Sequence, residues 1–270
     1  MSKPTFLMVK PLEYGVNYTI NPWMKPSEWD SINSADEALN QWYLLKTELE
    51  KAGAEIITID QPSDLPDLVF SANAGLCHNR RVLLSRFKNY QRAKEEPIWF
   101  QTFRNQAHLF DKIKEHNLYF EGAGDCIYDT ARNIFWMGYG QRTEKDAKRL
   151  VENYFDTQVI SLELVNPYFY HLDMAFMTLP DGTILYYPEA FSKDSLRLLE
   201  HLEEAIWVTD DEAKQFVLNS VFVNNTIISS KWSGVLAWQG YKVIETPLDM
   251  FHKAGGSACC LTLRMDSHSD

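Results

Sequence analysis

The sequence has few cysteines and lacks any long apolar run. Its four Cys stand at positions 77, 126, 259 and 260, and these spacings fit neither a disulfide framework nor a zinc site. No apolar run approaches the roughly 20 residues that a membrane-spanning helix requires. The apolar part of the N-terminus is also too short for a signal peptide. We therefore expect a protein of the reducing cytoplasm with no membrane contact.

The sequence also lacks an excess of positive charge and lacks linkers. Its net charge is −11, which argues against a nucleic-acid partner and is compatible with a small cationic substrate. No Pro/Gly/Ser-rich or low-complexity segment divides the chain, so we expect residues 1–270 to form a single domain. The oligomeric state, a homo-oligomer included, stays open at this point.

A repeated unit is the main positive feature of the sequence. Apolar segments at 68–73, 118–121, 168–171 and 216–219 each end in a polar residue, and each is followed by two apolar runs that flank a turn. Turn residues between apolar runs are typical of β-hairpins. We therefore predict a strand at each of the four segments, followed by a hairpin.

The terminal polar residues of these units recur at a nearly constant spacing. With the equivalent positions near the two ends of the chain, the steps between them are 52, 48, 50, 48 and 41 residues. The positions are Asn21, Asn73, Glu121, His171, Asn219 and Cys260. A period of roughly 50 residues is typical of a stacked or cyclic repeat. If the units close into a ring, these side chains meet on its axis.

Helical segments fill the gaps between the hairpins. A capping-box pattern at Ser34 and Glu37 precedes a helix that ends near Gly53. Further helices are predicted over 105–116, 143–154, 192–202, 210–214 and 247–253. Strands that alternate with helices predict an α/β protein, and the hairpins exclude a purely parallel sheet.

Two adjacent thiols stand near the C-terminus. Gly255 and Gly256 precede Cys259 and Cys260, and a short alternating apolar run that follows predicts a strand. A thiol behind a flexible glycine loop is a candidate nucleophile, although a single free Cys is more often a small buried apolar residue. Because side chains alternate along a strand, only one of the two thiols is expected to face a pocket.

Four motifs in a fixed order give the chain a family resemblance. They are 120–125 (FEGAGD), 140–143 (GQRT), 171–173 (HLD) and 255–262 (GGSACCLT). In this order, and on a 50-residue period, they resemble the guanidine-modifying branch of the penteins. The resemblance covers nearly the whole chain. It implies a five-bladed α/β propeller of ββαβ modules around a central pocket, which agrees with the repeat count.

The resemblance implies a cysteine-dependent reaction on a guanidinium group. Cys260 matches the nucleophile that forms a covalent thiouronium intermediate, and Cys259 is left as a packing residue. A thiolate near neutral pH requires a lowered pKa, which a bound cation or a protonated imidazole supplies. His171 matches the general acid and base, which protonates the departing amine and then activates water. Neither a metal nor a cofactor is predicted.

Other matching residues concern the substrate. Glu121 and Asp173 match carboxylates that hold the guanidinium or orient His171, whereas Asp125 is interpreted as a turn-stabilising residue. Arg142 matches an arginine that contacts the α-carboxylate of the substrate or the wall of the pocket. Arg92 is a second candidate for this role, and a surface helix is the alternative for it.

Asparagines separate this chain from a plain deiminase. Deiminases carry Asp at the position of Asn73. Compared with that Asp, the amide of Asn73 can donate a hydrogen bond as well as accept one, and the site has one negative charge fewer. Asn73 together with Asn21 resembles arginine dihydrolases, which convert arginine to ornithine, two ammonia and carbon dioxide. In that subgroup both amides line the guanidinium end. Dimethylarginine hydrolase, arginine deiminase and amidinotransferase remain alternatives, and a binding-only pentein is a remote one.

Overall fold

The computed structural model describes residues 3–29, 34–105, 109–113, 118–237 and 240–268. Its strands form five three-stranded sheets. In chain order the strands are β1 Thr5–Lys10, β2 Glu55–Asp60, β3 Gly75–His78, β4 Arg81–Leu84, β5 Leu109–Asp111, β6 Cys126–Asp129, β7 Ile134–Tyr139, β8 Val159–Glu163, β9 Phe176–Thr178, β10 Ile184–Tyr186, β11 Ala205–Trp207, β12 Val221–Val223, β13 Thr226–Ser229, β14 Lys242–Glu245 and β15 Leu263–Arg264.

Each sheet is one ββαβ module. The middle strand pairs antiparallel with one neighbour and parallel with the other, as β4 does with β3 and β5. The module at the chain ends is closed by β15, which pairs antiparallel with β1, while β2 pairs parallel with β1. The C-terminal strand thus completes the N-terminal sheet, and the five modules form the α/β propeller that the family resemblance implies, in agreement with the repeat count.

The innermost strands of all five sheets share one cavity. Residues of β3, β6, β9, β12 and β15 line it together. We call this space the axial cavity. Its volume is about 1200 Å³ with its opening to solvent included. Five strands that face one cavity place the propeller axis at this point.

The helices cover the outer parts of the sheets. They are α1 Ser34–Lys51, α2 Tyr90–Ala93, α3 Glu96–Asn105, α4 Ala147–Phe155, α5 Lys193–Glu200, α6 Asp210–Lys214, α7 Gly234–Ala237 and α8 Asp249–His252. In α1 the buried residues Ala38, Trp42, Leu45 and Leu49 recur every three or four positions, so one face of the helix enters the core. Within the described residues, no helix is both long and apolar enough to cross a lipid bilayer.

Four predicted strands, at 68–73, 118–121, 168–171 and 216–219, are wrong. Short 3₁₀ helices cover much of the first segment, at Pro66–Val69 and Ser71–Ala74, and one follows the second at Gly122–Gly124. Local hydrogen bonds, such as Asn219 N–H to the Phe216 carbonyl, satisfy the backbone without a strand partner. A short apolar run that is buried on all sides carries no periodicity, so the sequence did not separate a buried turn from a buried strand.

Two other predictions are corrected in part. The helix predicted over 105–116 conflicts with α3, which ends at Asn105, and with β5 at Leu109–Asp111; residues 106–108 and 114–117 lie outside the described ranges. The strand predicted after Cys260 is only two residues long. Cys260 itself lies in a turn, where the Leu261 N–H donates to the Ser257 carbonyl at 3.2 Å.

Candidate active site

A second cavity, which we call the site cavity, contains most of the predicted site residues. It is a narrow space of about 270 Å³ with its opening to solvent included. Its polar lining residues are each at most 8% exposed and come from segments far apart in the chain. They are Asn21, Asp67, Asn73, Arg92, Arg142, Tyr170, His171 and Cys260. Most of the polar residues at the 50-residue spacing therefore meet in one place.

The thiol of Cys260 lies in a network of polar groups. Its Sγ is 3.3 Å from Oδ2 of Asp173, and Nδ2 of Asn219 donates to it at 3.1 Å. The side-chain oxygen of Asn219 accepts the backbone N–H groups of Ser257, at 3.0 Å, and Cys260, at 3.1 Å. One buried amide thus fixes the loop and supplies a donor to the sulfur.

The electrostatic environment of Cys260 favours the neutral thiol. Burial, followed by the nearby Asp173 carboxylate, raises the pKa of Cys260 well above its ordinary value. Burial likewise raises the pKa of Asp173 to about 6, against the opposing effect of His171. The lowered thiol pKa that the resemblance implies is therefore absent without a bound cation.

His171 lies between two carboxylates. Its Nε2 is 3.4 Å from Oε2 of Glu121, and its Nδ1 is 3.1 Å from Oδ2 of Asp125. Asp125 also accepts the Leu172 N–H at 3.2 Å and the Thr143 hydroxyl at 2.7 Å, so its carboxylate is held in place. The two carboxylates thus lie on opposite sides of the imidazole and restrict its orientation.

Glu121 is fully buried and is held by cations. Burial opposes its ionisation, but Arg142 and His171 outweigh this effect and hold the pKa of Glu121 below its ordinary value. Nη1 of Arg142 lies 3.3 Å from Oε2 of Glu121, and the Lys88 N–H donates to Oε1 at 3.1 Å. Glu121 is therefore a carboxylate placed directly beside His171.

The amide of Asn73 can approach His171 because Gly124, which lies beside it, has no side chain. Its Nδ2 donates to the Glu121 carbonyl at 3.0 Å and lies 3.4 Å from Nε2 of His171. A Cβ at Gly124 would lie 2.2 Å from this nitrogen, so only glycine permits the approach. The Asn73 side-chain oxygen accepts from Nη1 of Arg92 at 2.8 Å.

Arg92 lines the site cavity, but most of its N–H donors form hydrogen bonds with other groups of the protein. It forms a bidentate pair with Glu95, at 2.8 and 2.9 Å, and its Nη2 also donates to the carbonyls of Asp67 and Phe70. Both Arg92 and Glu95 are at most 3% exposed. The surface-helix alternative for Arg92 is therefore excluded, and its geometry is that of a support for Asn73.

The outer end of the site cavity contains Asn21, Arg142 and Tyr170. Nη2 of Arg142 donates to the Ile20 carbonyl at 2.9 Å, and its guanidinium lies 4.6 Å from the centre of the Tyr170 ring. Asn21 donates to the Tyr170 hydroxyl at 3.1 Å and to the Ala254 carbonyl at 3.0 Å. All three also line a shallow surface depression with Lys88, which identifies this end as the mouth.

Sequence reasoning missed several residues at the site. Asn219 and Tyr170 were not assigned, although Asn219 stood at the recurring polar position. Asp67 was also missed; its Oδ2 accepts the Tyr18 hydroxyl at 2.9 Å, and its Oδ1 has no hydrogen-bond partner among the described residues. A buried Asp within an apolar segment was the available signal.

Asp125 contacts His171. The sequence-based interpretation of Asp125 as a turn-stabilising residue did not include this contact.

Two predicted relationships differ in the structure. Asp173 contacts the sulfur of Cys260, whereas Glu121 and Asp125 flank His171. Asn73 lies beside His171, but Asn21 lies at the mouth with its amide bonded to protein groups. Within the described ranges, no group of three or more His, Cys, Asp and Glu side chains is placed to hold a metal ion.

The fold is that of the guanidine-modifying penteins, and comparison with known proteins gives the family. Residues 11–265 match the model of the eukaryotic N,N dimethylarginine dimethylhydrolase family. The N(G),N(G)-dimethylarginine dimethylaminohydrolase of Mycobacterium tuberculosis is 32% identical over 96% of this chain and 85% of its own length. The chain therefore belongs to the dimethylarginine dimethylhydrolase family.

Other relatives carry an arginine dihydrolase domain. The bifunctional arginine dihydrolase/ornithine cyclodeaminase AgrE of Nostoc sp. is 40% identical over 98% of this chain. The chain spans only 38% of that protein and 37% of the similar Synechocystis protein ArgZ. The substrate-bound N-terminal domain of ArgZ, a cyanobacterial arginine dihydrolase, has a TM-score of 0.93 and 39% identity, with 98% of this chain and 99% of that one covered.

Proposed function

We propose that the chain is a cysteine-dependent guanidine hydrolase that converts arginine to ornithine, two ammonia and carbon dioxide, with residues 1–270 as one catalytic unit. The observation that carries this proposal is the arrangement of the site cavity. Cys260, His171 and Asn73 line the same small space, with Asp173 in contact with the sulfur. A planar cation placed against these groups meets a nucleophile, an acid and a buried negative charge together.

The substrate itself activates the nucleophile in this proposal. The resting thiol of Cys260 is neutral because burial and the Asp173 carboxylate raise its pKa. A guanidinium bound beside Asp173 adds a positive charge that favours both the ionised carboxylate and the thiolate. The N–H donor of Asn219, 3.1 Å from the sulfur, stabilises the same ionised form. The thiol gives its proton to His171, and the resulting thiolate forms a bond to the guanidinium carbon.

His171 transfers the protons. In the first step it gives a proton to the departing nitrogen, which leaves as ammonia, and a thiouronium remains on Cys260. In the second step it takes a proton from water, which adds to the same carbon. Glu121, on one side of the ring, and Asp125, on the other, hold the imidazole in place in both steps.

The mouth fits the other end of arginine. Arg142 and Lys88 both line the outer depression, and cations there suit the α-carboxylate. Asp67, with an unpartnered buried oxygen in the site cavity, suits a cationic group of the substrate. This assignment gives Arg142 a substrate contact and leaves Arg92 as the support of Asn73.

Asn73 favours two hydrolytic steps over one. Its amide places a hydrogen-bond donor beside His171. Because the amide is neutral, no further carboxylate faces the carbonyl carbon of a ureido intermediate. The similarity to the arginine dihydrolase domains of AgrE and ArgZ supports the same choice. The balanced reaction consumes two waters for each arginine.

Product analysis with arginine labelled at the guanidino carbon tests this proposal. We expect labelled carbon dioxide with one ornithine and two ammonia for each arginine. Citrulline as the final product contradicts the second hydrolysis but keeps the guanidine chemistry. The family match makes dimethylarginine the second candidate substrate, and release of dimethylamine from it, without turnover of arginine, favours that activity. Added glycine or lysine that yields a new guanidino product indicates amidino transfer.

A further inference from the structure

Ser257 begins the turn that carries the nucleophile. It is fully buried, its carbonyl accepts the Leu261 N–H at 3.2 Å, and its N–H donates to the side-chain oxygen of Asn219 at 3.0 Å. The same oxygen accepts the Cys260 N–H, and Nδ2 of Asn219 donates to the sulfur. Burial and Asp173 raise the pKa of Cys260, and the Ser257 N–H acts against them by favouring the thiolate. The position of Ser257 therefore affects the reactivity of the nucleophile.

The side chain of Ser257 is held by His252. Nε2 of His252 lies 3.2 Å from the Ser257 hydroxyl, so the two groups form a hydrogen bond. His252 is the last residue of α8, and its carbonyl accepts the Gly255 N–H at 2.9 Å. Gly255 has a φ of +83°, which glycine adopts readily, so the chain can turn sharply between the helix and Ser257. The hydrogen bond closes this turn and links α8 to the nucleophile.

The imidazole of His252 is also held by Phe216. The two rings are stacked, with their centroids 4.4 Å apart and their planes 18° apart. Phe216 is almost fully buried and has a φ of +58°, which bulky residues rarely adopt. Its carbonyl accepts the Asn219 N–H at 3.0 Å. The turn that places Phe216 against His252 therefore also places Asn219 against the sulfur of Cys260.

His252 does not line the site cavity. It lines a separate surface groove, together with Trp23 and Tyr168. Burial lowers the pKa of His252 to about 4, against the opposing effect of Asp249, so the imidazole is neutral near pH 7. His252 is thus neither a substrate contact nor a second acid, and it acts through the groups that it touches.

We propose that His252 is a positioning residue, which holds the nucleophile turn through its hydrogen bond to Ser257 and its stacking on Phe216. In this arrangement the donors of Ser257 and Asn219 stay directed at the sulfur. The effect of His252 on turnover rests on the proposed guanidine hydrolysis, whereas its effect on the thiol does not. Loss of the hydrogen bond weakens stabilisation of the thiolate and leaves the mouth, which binds the rest of the substrate, unchanged.

Substitutions on both sides of the hydrogen bond test this role in the substrate-free chain. His252→Phe keeps an aromatic ring on Phe216 and removes the hydrogen bond, and Ser257→Ala removes the other partner. Alkylation of Cys260 by iodoacetamide at about pH 8.5, mapped by peptide mass spectrometry, should become roughly three- to tenfold slower in each variant. The double variant should be no slower than the slower single variant, because both changes break the same bond.

Turnover and two further variants complete the test. With arginine, kcat should fall in His252→Phe by a similar factor, while KM stays within about twofold. His252→Gln, whose amide can replace Nε2 as a partner of Ser257, should recover most of both losses. Ser229→Ala is the matched control, because Ser229 is as fully buried as Ser257 and its hydroxyl accepts the Lys231 N–H outside the nucleophile turn. It should match the unmodified chain.

The outcomes separate the two proposals. Unchanged or faster alkylation in a folded His252→Phe or Ser257→Ala variant contradicts the positioning role, and so do additive effects in the double variant. No recovery in a folded His252→Gln variant, or a change confined to KM, also contradicts it. If alkylation slows as expected but the unmodified chain hydrolyses neither arginine nor dimethylarginine, the proposed function fails and the positioning of the thiol stands. Either single variant is sufficient, so misfolding of the other does not decide the result.

Discussion

Oδ2 of Asp173 lies 3.3 Å from Sγ of Cys260 in a region that is almost fully buried. This contact keeps the thiol protonated in the absence of substrate, since burial and the nearby carboxylate both oppose a thiolate. The same carboxylate is a ready partner for a bound cation. The proposed function therefore couples substrate binding and nucleophile activation through this pair of residues.

Asp173→Asn should make the resting thiol more reactive. Removal of the carboxylate lowers the pKa of Cys260, so alkylation by iodoacetamide at about pH 7.5 should become roughly three- to tenfold faster. Asp67→Asn is the control, because Asp67 lines the site cavity with Cys260 and its hydrogen bond is to Tyr18. Equal alkylation rates in the unmodified chain and in Asp173→Asn would show that the contact does not control the thiol.

Asn73→Asp should shift the reaction towards a single hydrolysis. The substitution removes the donor that lies 3.4 Å from Nε2 of His171 and adds a charge beside Glu121. We expect citrulline to accumulate at the expense of ornithine, as measured by chromatography of the products. Asn21→Asp is the matched control: Asn21 lies at the mouth, so this change should alter KM and leave the product ratio unchanged. An unaltered ratio in Asn73→Asp would remove Asn73 from the second step.

Asp125→Asn should slow proton transfer. The carboxylate of Asp125 lies 3.1 Å from Nδ1 of His171 and is anchored by the Thr143 hydroxyl. Its loss should reduce kcat by about 10- to 100-fold, with little change in KM, because the imidazole is then no longer held in place for proton transfer. Thr143→Val should have a smaller effect in the same direction. A change confined to KM would identify Asp125 as a purely structural residue.

The activity should depend on the ionisation of Asp173. Burial raises its pKa to about 6 in the folded chain from an ordinary value of 3.8. Because the folded state binds this proton more tightly, Asp173 makes folding more favourable as the pH falls from about 6 towards 4, and its ionised form is destabilising at neutral pH. Substrate capture requires the ionised form, so kcat/KM should fall as the pH drops through about 6.

Asp173→Asn separates these two effects. At pH 7 the variant should be more stable than the unmodified chain by roughly 1–3 kcal/mol, because no charge is buried, while kcat/KM should be strongly reduced. Urea unfolding and kinetics at several pH values measure both quantities. A variant that is less stable at pH 7 would contradict the assignment of an unfavourable buried charge.

The repeat could be predicted from the sequence because it depends on local patterns. Turn residues between apolar runs located the hairpins, and most residues at the recurring polar positions meet in the site cavity. The conformation just before each hairpin could not be predicted in this way. The backbone at Asn73 and Asn219 is turned by local hydrogen bonds within fully buried segments, where no alternation of polar and apolar residues reports the conformation.

The sequence predicted which residues belong to the candidate site better than it predicted which of them contact each other. Cys260, His171 and Glu121 were identified from motifs, but the partner of each depends on how five modules close. That Asp125 rather than Asp173 flanks His171 is set by the relative placement of two modules. Likewise, Arg92 and Glu95 form a buried ion pair, and the polar sequence around them did not indicate that the two side chains are buried.

The account depends on covalent catalysis at one of two adjacent thiols. Arginine labelled at the guanidino carbon should be mixed with the chain, quenched within one turnover and mapped by peptide mass spectrometry. The account predicts a label on Cys260 with the mass of arginine less one ammonia, no turnover in Cys260→Ala, and near-normal turnover in Cys259→Ala. Product formation by Cys260→Ala, or a label on Cys259 alone, would contradict it.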